Sequence, residues 1–174
     1  MRRFAGWLLL TLALAAAVHL VAVSLAPRAI MAAVFLVMKR NGRELNTAYH
    51  EPRPSAERSF VVMPSPDLLY SVCAFDVSET PLRITAAVPD TYWSISMYAF
   101  NTDNFFVLND QQAGAKEIEL VLTGPGRNQP APGARVAVSP TARGVVLFRT
   151  LIPSENRLDE LIRIQKLASC KPLF

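Results

Sequence analysis

LRITAAVPDTYWSISMYAF, running from Leu82 to Phe100, is the stretch on which the fold turns. Leu82, Ile84, Ala86 and Val88 fall on one side of the first half, with Arg83 and Thr85 on the other. Pro89-Asp90 interrupts the run. Trp93, Ile95 and Met97 then alternate with Tyr92, Ser94, Ser96 and Tyr98. A period of two belongs to a strand with one face buried, because successive side chains point to opposite sides of a sheet. The stretch therefore predicts two strands separated by a break, each with one apolar face.

The same grammar extends to both sides. Further short β-type runs are Phe60–Met63, Leu69–Val77, Phe105–Leu108, Glu117–Thr123, Ala134–Val138 and Gly144–Leu151. Pro64-Ser65-Pro66, Glu79-Thr80-Pro81 and Gly124-Pro125-Gly126 separate them. In Glu117–Thr123, Ile118, Leu120 and Leu122 oppose Glu117 and Glu119. Many short strands at this spacing predict an all-β, antiparallel, sandwich-like domain. The lack of repeated strand–helix alternation argues against a parallel doubly wound sheet. Gly124–Gly133 reads as a Pro/Gly-rich loop. After Pro153 the pattern turns helical: Ser154 offers an N-cap, Glu155 suits the first turn, and Leu158, Leu161, Ile162 and Leu167 form a stripe. This C-terminal helix is expected to pack on the sheets or cover an edge.

The N-terminus is different in kind. Phe4 to Ala26 carries no charge, and Arg2 and Arg3 precede it. A run of about 20 apolar residues crosses the ~30 Å hydrocarbon core as a helix. The expected reading is a retained anchor. The alternative is a cleaved signal, with Ala15-Ala16-Ala17 or Ser24-Leu25-Ala26 as candidate sites. Against cleavage, the apolar run continues past the first site and Pro27 follows the second. Ala29–Met38 is too short to span. It either extends the first helix, lies in the interface, or forms the second leg of a hairpin. Three parts follow: an anchor and juxtamembrane segment over residues 1–40, a polar linker over 41–59, and a β domain over 60–174.

The calculated pI of about 9.4 does not indicate a nucleic-acid binder. Arg2, Arg3, Arg28, Lys39 and Arg40 all flank the apolar segment, and from Asn41 onward 13 basic residues meet 14 acidic ones. A phosphate-binding surface needs clustered basic charge. Here the excess charge suits lipid headgroups, so the bilayer is an expected partner and nucleic acid is not. Arg2 and Arg3 favour an inside N-terminus; Arg28, Lys39, Arg40 and Arg43 pull the other way. The expected location is the inner membrane, single-pass, with the domain on the periplasmic side.

Candidate chemistry is sparse. His19 lies in the apolar run and His50 in the expected linker, where a solvated role is the simplest reading. Cys73 and Cys170, the only cysteines, do not form a zinc pattern. They are either free buried thiols or a disulfide made in an oxidising compartment. Asp67, Asp76, Asp90 and Asp103 sit at strand ends and turns, where aspartate caps turns through its side chain. Tyr92, Ser94, Ser96 and Tyr98 share one face, which suits a ligand or partner surface if solvent does not claim it. No metal site and no cofactor are expected.

Pro66-Asp67-Leu68-Leu69-Tyr70-Ser71, Phe75-Asp76-Val77-Ser78, Val88-Pro89-Asp90, Tyr92-Trp93-Ser94, Met97-Tyr98 and Thr102-Asp103-Asn104-Phe105 occur in this order. The ordered set resembles the family called domain of unknown function 1254, over about residues 58–123. The family pattern usually reads Asn-x-Asp-Thr-Leu-Tyr where this chain has Ser65-Pro66-Asp67-Leu68-Leu69-Tyr70, so two polar positions differ. The resemblance implies a β-sandwich-like unit and no assigned reaction. In that family the unit is commonly followed in the same chain by a second all-β domain, domain of unknown function 1214, and a separately encoded protein carrying that domain is the expected partner. The expected function is thus a non-catalytic, membrane-anchored subunit of a bacterial cell envelope. The alternatives are a small hydrolase or ligand-binding module using Tyr70, Tyr92, Ser94, Ser96 or Tyr98, with Asp67 and Asp103 nearby.

Overall fold

The computed structural model describes residues 2–55, 61, 63–126 and 135–173. Its secondary structure is dominated by two sheets preceded by one long helix. That helix, α1 (Arg2–Arg40), has 39 residues, which at 1.5 Å per residue is about 58 Å. It runs through Pro27 without a break, so Ala29–Met38 extends the first helix and no hairpin forms. Within its apolar part, Thr11 and Ser24 donate their hydroxyls to the carbonyls of Trp7 and Leu20, four residues back, at 3.0 and 2.8 Å. Neither polar group is left unpaired in an apolar setting. This is the one helix among the described residues that is long and apolar enough to cross a membrane, and its most apolar window is 0% buried against the rest of the chain.

The strands are β1 (Tyr49–His50), β2 (Leu68–Asp76), β3 (Leu82–Ala87), β4 (Trp93–Ala99) and β5 (Asn104–Asn109), then β6 (Glu117–Thr123), β7 (Val136–Val138), β8 (Arg143–Leu151) and β9 (Ser169–Pro172). They form a five-stranded sheet in the order β1-β2-β8-β4-β5 and a four-stranded sheet in the order β7-β6-β3-β9. All pairings are antiparallel except β6 with β7. That parallel pair departs from the purely antiparallel expectation. Half of the strand expected over Phe60–Met63 lies outside the described residues, and Val61 and Met63 are not in a strand. Most of the Gly124–Gly133 loop also lies outside them, as does Ala134, at the start of the expected Ala134–Val138 strand.

The sheets pack face to face. Cys73, Phe75, Trp93, Ile95, Met97, Val146 and Phe148 on the larger sheet meet Leu82, Ile84, Ile118, Leu120, Leu122 and Cys170 on the smaller one. The alternation places Leu82, Ile84, Ala86, Ile118, Leu120 and Leu122 in this core and Arg83, Glu117 and Glu119 outside it. Gly144 marks the tightest point. A Cβ there would stand 2.1 Å from the Tyr98 carbonyl oxygen and 2.5 Å from the Phe75 ring. Cys73 on β2 and Cys170 on β9 form a disulfide across the sandwich, with Cα atoms 6.5 Å apart, inside the usual bridging range.

Residues 41–59 are not all linker. β1 pairs with β2, and Asn46 locks onto the far end of the same strand. Its Nδ2 donates to the Asp76 carbonyl at 3.1 Å, and its Oδ1 accepts from the Asp76 N–H at 2.7 Å. Arg43 pairs with Glu51 and lies over the Tyr49 ring. At the C-terminus, a 3-10 turn (Glu155–Arg157) precedes the helix α2 (Leu158–Gln165), and Ser154 bonds Asn156 instead of capping the backbone. Leu161 is fully buried with Leu69 and Ile152, whereas Leu167 lies past the helix and is exposed. The chain then returns as β9 on the edge of the smaller sheet, a strand the sequence pattern did not predict.

Candidate functional site

The five-stranded sheet has two unlike faces. Its inner face is closed by the second sheet. Its outer face carries Tyr70 and Val72 from β2, Val145, Leu147 and Arg149 from β8, and Ser94, Ser96 and Tyr98 from β4. The end of α1 covers part of it. Met31, Val34 and Phe35 pack with Val72, Val145, Tyr98, Phe100 and Leu147. Phe35 meets Phe100 edge to face at 5.7 Å between ring centres.

The Tyr/Ser face predicted from the Leu82–Phe100 stretch is therefore a covered surface. Ser94 and Ser96 are 1% and 0% exposed, and Tyr98 is half-buried in the α1 contact. Tyr92 stays 41% exposed and donates its hydroxyl to Ser94 Oγ at 3.2 Å. Tyr70 is buried, and its Oη accepts the Ser65 N–H at 3.0 Å.

The two aspartates do not join this face. Asp67 precedes β2 at the Leu151 end of β8 and lies 4.0 Å from Arg53. Asp103 precedes β5 at the Gly144 end, in a turn where Asn101 Nδ2 donates to its carboxylate at 2.6 Å. About seven residues of β8 separate the two ends, roughly 23 Å at strand rise. That separation rules out a shared acid–base pair: Asp103 serves its turn and Asp67 faces Arg53.

Arg149 is the residue that reading by strand period missed. It lies between Tyr70 on β2 and Ser94 on β4 in the sheet register. Its Nε donates to Ser94 Oγ at 3.2 Å and its Nη2 to Ser96 Oγ at 3.1 Å. The available signal was a lone charge straight after the apolar run Val145–Phe148, an arrangement rare unless the charge has a partner or a use.

A second polar cluster lies on the inner face at the β1 edge. The His50 Nδ1 and Ser71 Oγ are 2.9 Å apart. Gln165 Nε2 donates to the Tyr70 carbonyl at 2.7 Å and to that of Glu51 at 3.1 Å. Burial lowers the pKa of His50 from its usual value, and nearby Lys166 lowers it further, against the opposing pull of Glu51. The imidazole is thus held neutral at pH 7. By distance alone His50 and Ser71 are a base and a hydroxyl in contact. Ser71 is 1% exposed, and the adjoining cavity, bounded by Trp93, Thr150 and Gln165, measures about 10 Å³. That is room for about one water molecule, so the pair acts as a packed polar contact. Among the described residues, no three His, Cys, Asp or Glu side chains converge as a metal site would require.

Comparison with known proteins places this geometry in context. No curated protein matches the chain. The VPA0106 protein from Vibrio parahaemolyticus shares the fold, with a TM-score of 0.65 over 87% of this chain at 13% identity. A putative uncharacterized protein from Burkholderia cenocepacia aligns over 76% of this chain at 18% identity, with a TM-score of 0.49. This chain spans only 37% of the length of each. Residues 45–172, from the turn after α1 to the end of β9, match the family of proteins of unknown function DUF1254, and the chain belongs to that family.

Proposed function

We propose that this protein is a single-pass, membrane-anchored module of the bacterial cell envelope. Its β domain lies on the periplasmic side of the inner membrane and serves as a non-catalytic subunit. The observation that carries this reading is α1 itself. Its N-terminal part, from Phe4 to Leu25, exposes Trp7, Leu10, Leu14, Val18 and Leu20 at 57% or more. At about 25 cal/mol per Å² of apolar surface, leaving such a helix in water is strongly unfavourable. A bilayer removes that cost.

The orientation rests on the cysteines. Basic residues flank both ends of the apolar part, so charge alone does not choose a side. The Cys73–Cys170 disulfide does favour one, because such bonds form and persist in oxidising compartments. The subunit reading rests on the family to which residues 45–172 belong, whose unit the resemblance pairs with a companion all-β domain. A separate protein carrying the complementary all-β domain, domain of unknown function 1214, is the proposed partner.

The test is expression of the full chain in a Gram-negative host. The protein should stay with membranes through an alkaline carbonate wash and migrate faster without reductant than with it. Affinity purification from gently solubilised membranes should return one all-β protein in stoichiometric amount. Release into the soluble fraction would overturn the anchor, and recovery of a stable chain alone would overturn the subunit reading.

A further inference from the structure

Most partly buried cations in the domain face an acid. Arg43 pairs with Glu51, Arg53 with Glu155 at 2.7 Å and Arg157 with Glu160 at 3.2 Å, and the exposed Arg143 also pairs, with Asp76 at 2.7 Å. Arg149 is the exception. It is half-buried in the middle of the outer sheet face, and among the described residues no carboxylate lies within 4.0 Å of it. Its partners are the Ser94 and Ser96 hydroxyls, at 3.2 and 3.1 Å. A half-buried charge satisfied only by neutral hydroxyls leaves its field uncompensated.

We propose that Arg149, held by Ser94 and Ser96 and joined by Tyr92, is a binding site for a phosphate-type oxyanion. This goes beyond the anchored-subunit reading and does not depend on it. The two serine bonds occupy Nε and one N–H of Nη2. The remaining N–H groups, on Nη1 and Nη2, form the planar fork that takes two oxygens of an oxyanion at once. Because both serines are fully buried, the guanidinium is fixed before the ligand arrives. Tyr92 donates its hydroxyl to Ser94 at 3.2 Å and so braces the serine that holds the guanidinium. The side toward β5 is open: Val107, opposite Ser96, is 51% exposed, and Tyr92 is 41% exposed. α1 docks on this same outer face. A lipid headgroup phosphate and a free phosphate ester offer the fork the same chemistry, and the experiment must separate them.

The full chain is purified in neutral detergent and its thermal unfolding midpoint followed in two series. One adds inorganic phosphate against chloride at matched ionic strength. The other adds phosphatidylglycerol to the micelles against an equal amount of a phosphate-free neutral glycolipid. A ligand that binds only the folded state raises the midpoint in a saturable way. The wild type should respond in at least one series. A phosphate response identifies a free anion, and a phosphatidylglycerol response alone identifies the headgroup. Arg149→Gln should weaken half-saturation by about tenfold or more, since hydrogen bonds to charged groups are worth roughly 1.5–3 kcal/mol. If that variant fails to fold, Arg149→Lys keeps the charge, loses the fork and should still weaken the response. A wild type silent in both series, or a folded variant that responds as the wild type does, overturns the site.

Discussion

The two faces of the five-stranded sheet are built from the same strands and closed in opposite ways. Phe75, Ile95, Met97 and Val146 on the inner face are sealed by the second sheet and pinned by the Cys73–Cys170 bond. The outer face borrows its cover from the end of α1, through Met31, Val34 and Phe35, and then gives way to the polar group around Arg149. The inner face is thus a core the domain makes for itself. The outer face is closed by the helix that is long and apolar enough to cross a membrane. Stability should therefore depend on inner-face residues, and the coupling of domain to anchor on outer-face ones.

The inner face should break hardest. Replacing both Cys73 and Cys170 by Ala removes a cross-link between residues 97 apart in sequence. The expected loss is about 4 kcal/mol, seen as a large fall in the unfolding midpoint, since a bridge closing so long a loop restricts the unfolded chain strongly. Gly144→Ala comes next, at about 3 kcal/mol. The new methyl would meet the Tyr98 carbonyl at 2.1 Å, and backbone cannot swing aside as a side chain does. A Gly144→Ala protein that melts like the wild type would mean β4 and β8 are less tightly paired than described here.

The outer face should fail locally. Met31 is 6% exposed and packs with Val72 and Val145. Met31→Ala should cost about 2 kcal/mol of docking energy. Hydrogen exchange should then quicken at residues 41–50 while amides of β4 and β8 keep their protection. Equal loosening of both regions would erase the distinction between the faces.

The smallest effect is in pH. His50 has a folded pKa below its usual 6.5, so the unfolded chain binds more protons between the two values. Its contribution to stability is present above about pH 6.5 and declines as pH falls toward the folded value. Asp76 acts in the same direction at lower pH. Burial alone would raise its pKa, but the Ser78 side chain, Arg143 and the Ser78 N–H outweigh that and lower it. The unfolding midpoint should fall gently from pH 7.5 to 5.5, and His50→Gln should flatten that slope.

Much of the sandwich was legible from local pattern. Leu82–Ala87 and Trp93–Ala99 alternate with the strand period, and the structure buries the expected faces of both. β1 and β9 were not legible, because two- and four-residue edge strands carry no period, and β9 ends in Pro172. The candidate site was half legible. The period placed Tyr92, Ser94, Ser96 and Tyr98 on one side, but what covers that side comes from α1 and β8, far away in sequence. The His50–Ser71 contact depends on the register of β1, and the Cys73–Cys170 bond on β9 pairing with β3. Neither can be read from spacing along the chain.

The central claim is that α1 spans the membrane and delivers the β domain to the oxidising side. Protease protection tests it most directly, with the full chain expressed in a Gram-negative host and protease added to spheroplasts and to inside-out vesicles. The account predicts that the β domain is cut in spheroplasts, leaving an N-terminal fragment protected, and is shielded in inside-out vesicles. A domain shielded in spheroplasts and cut in inside-out vesicles would contradict it.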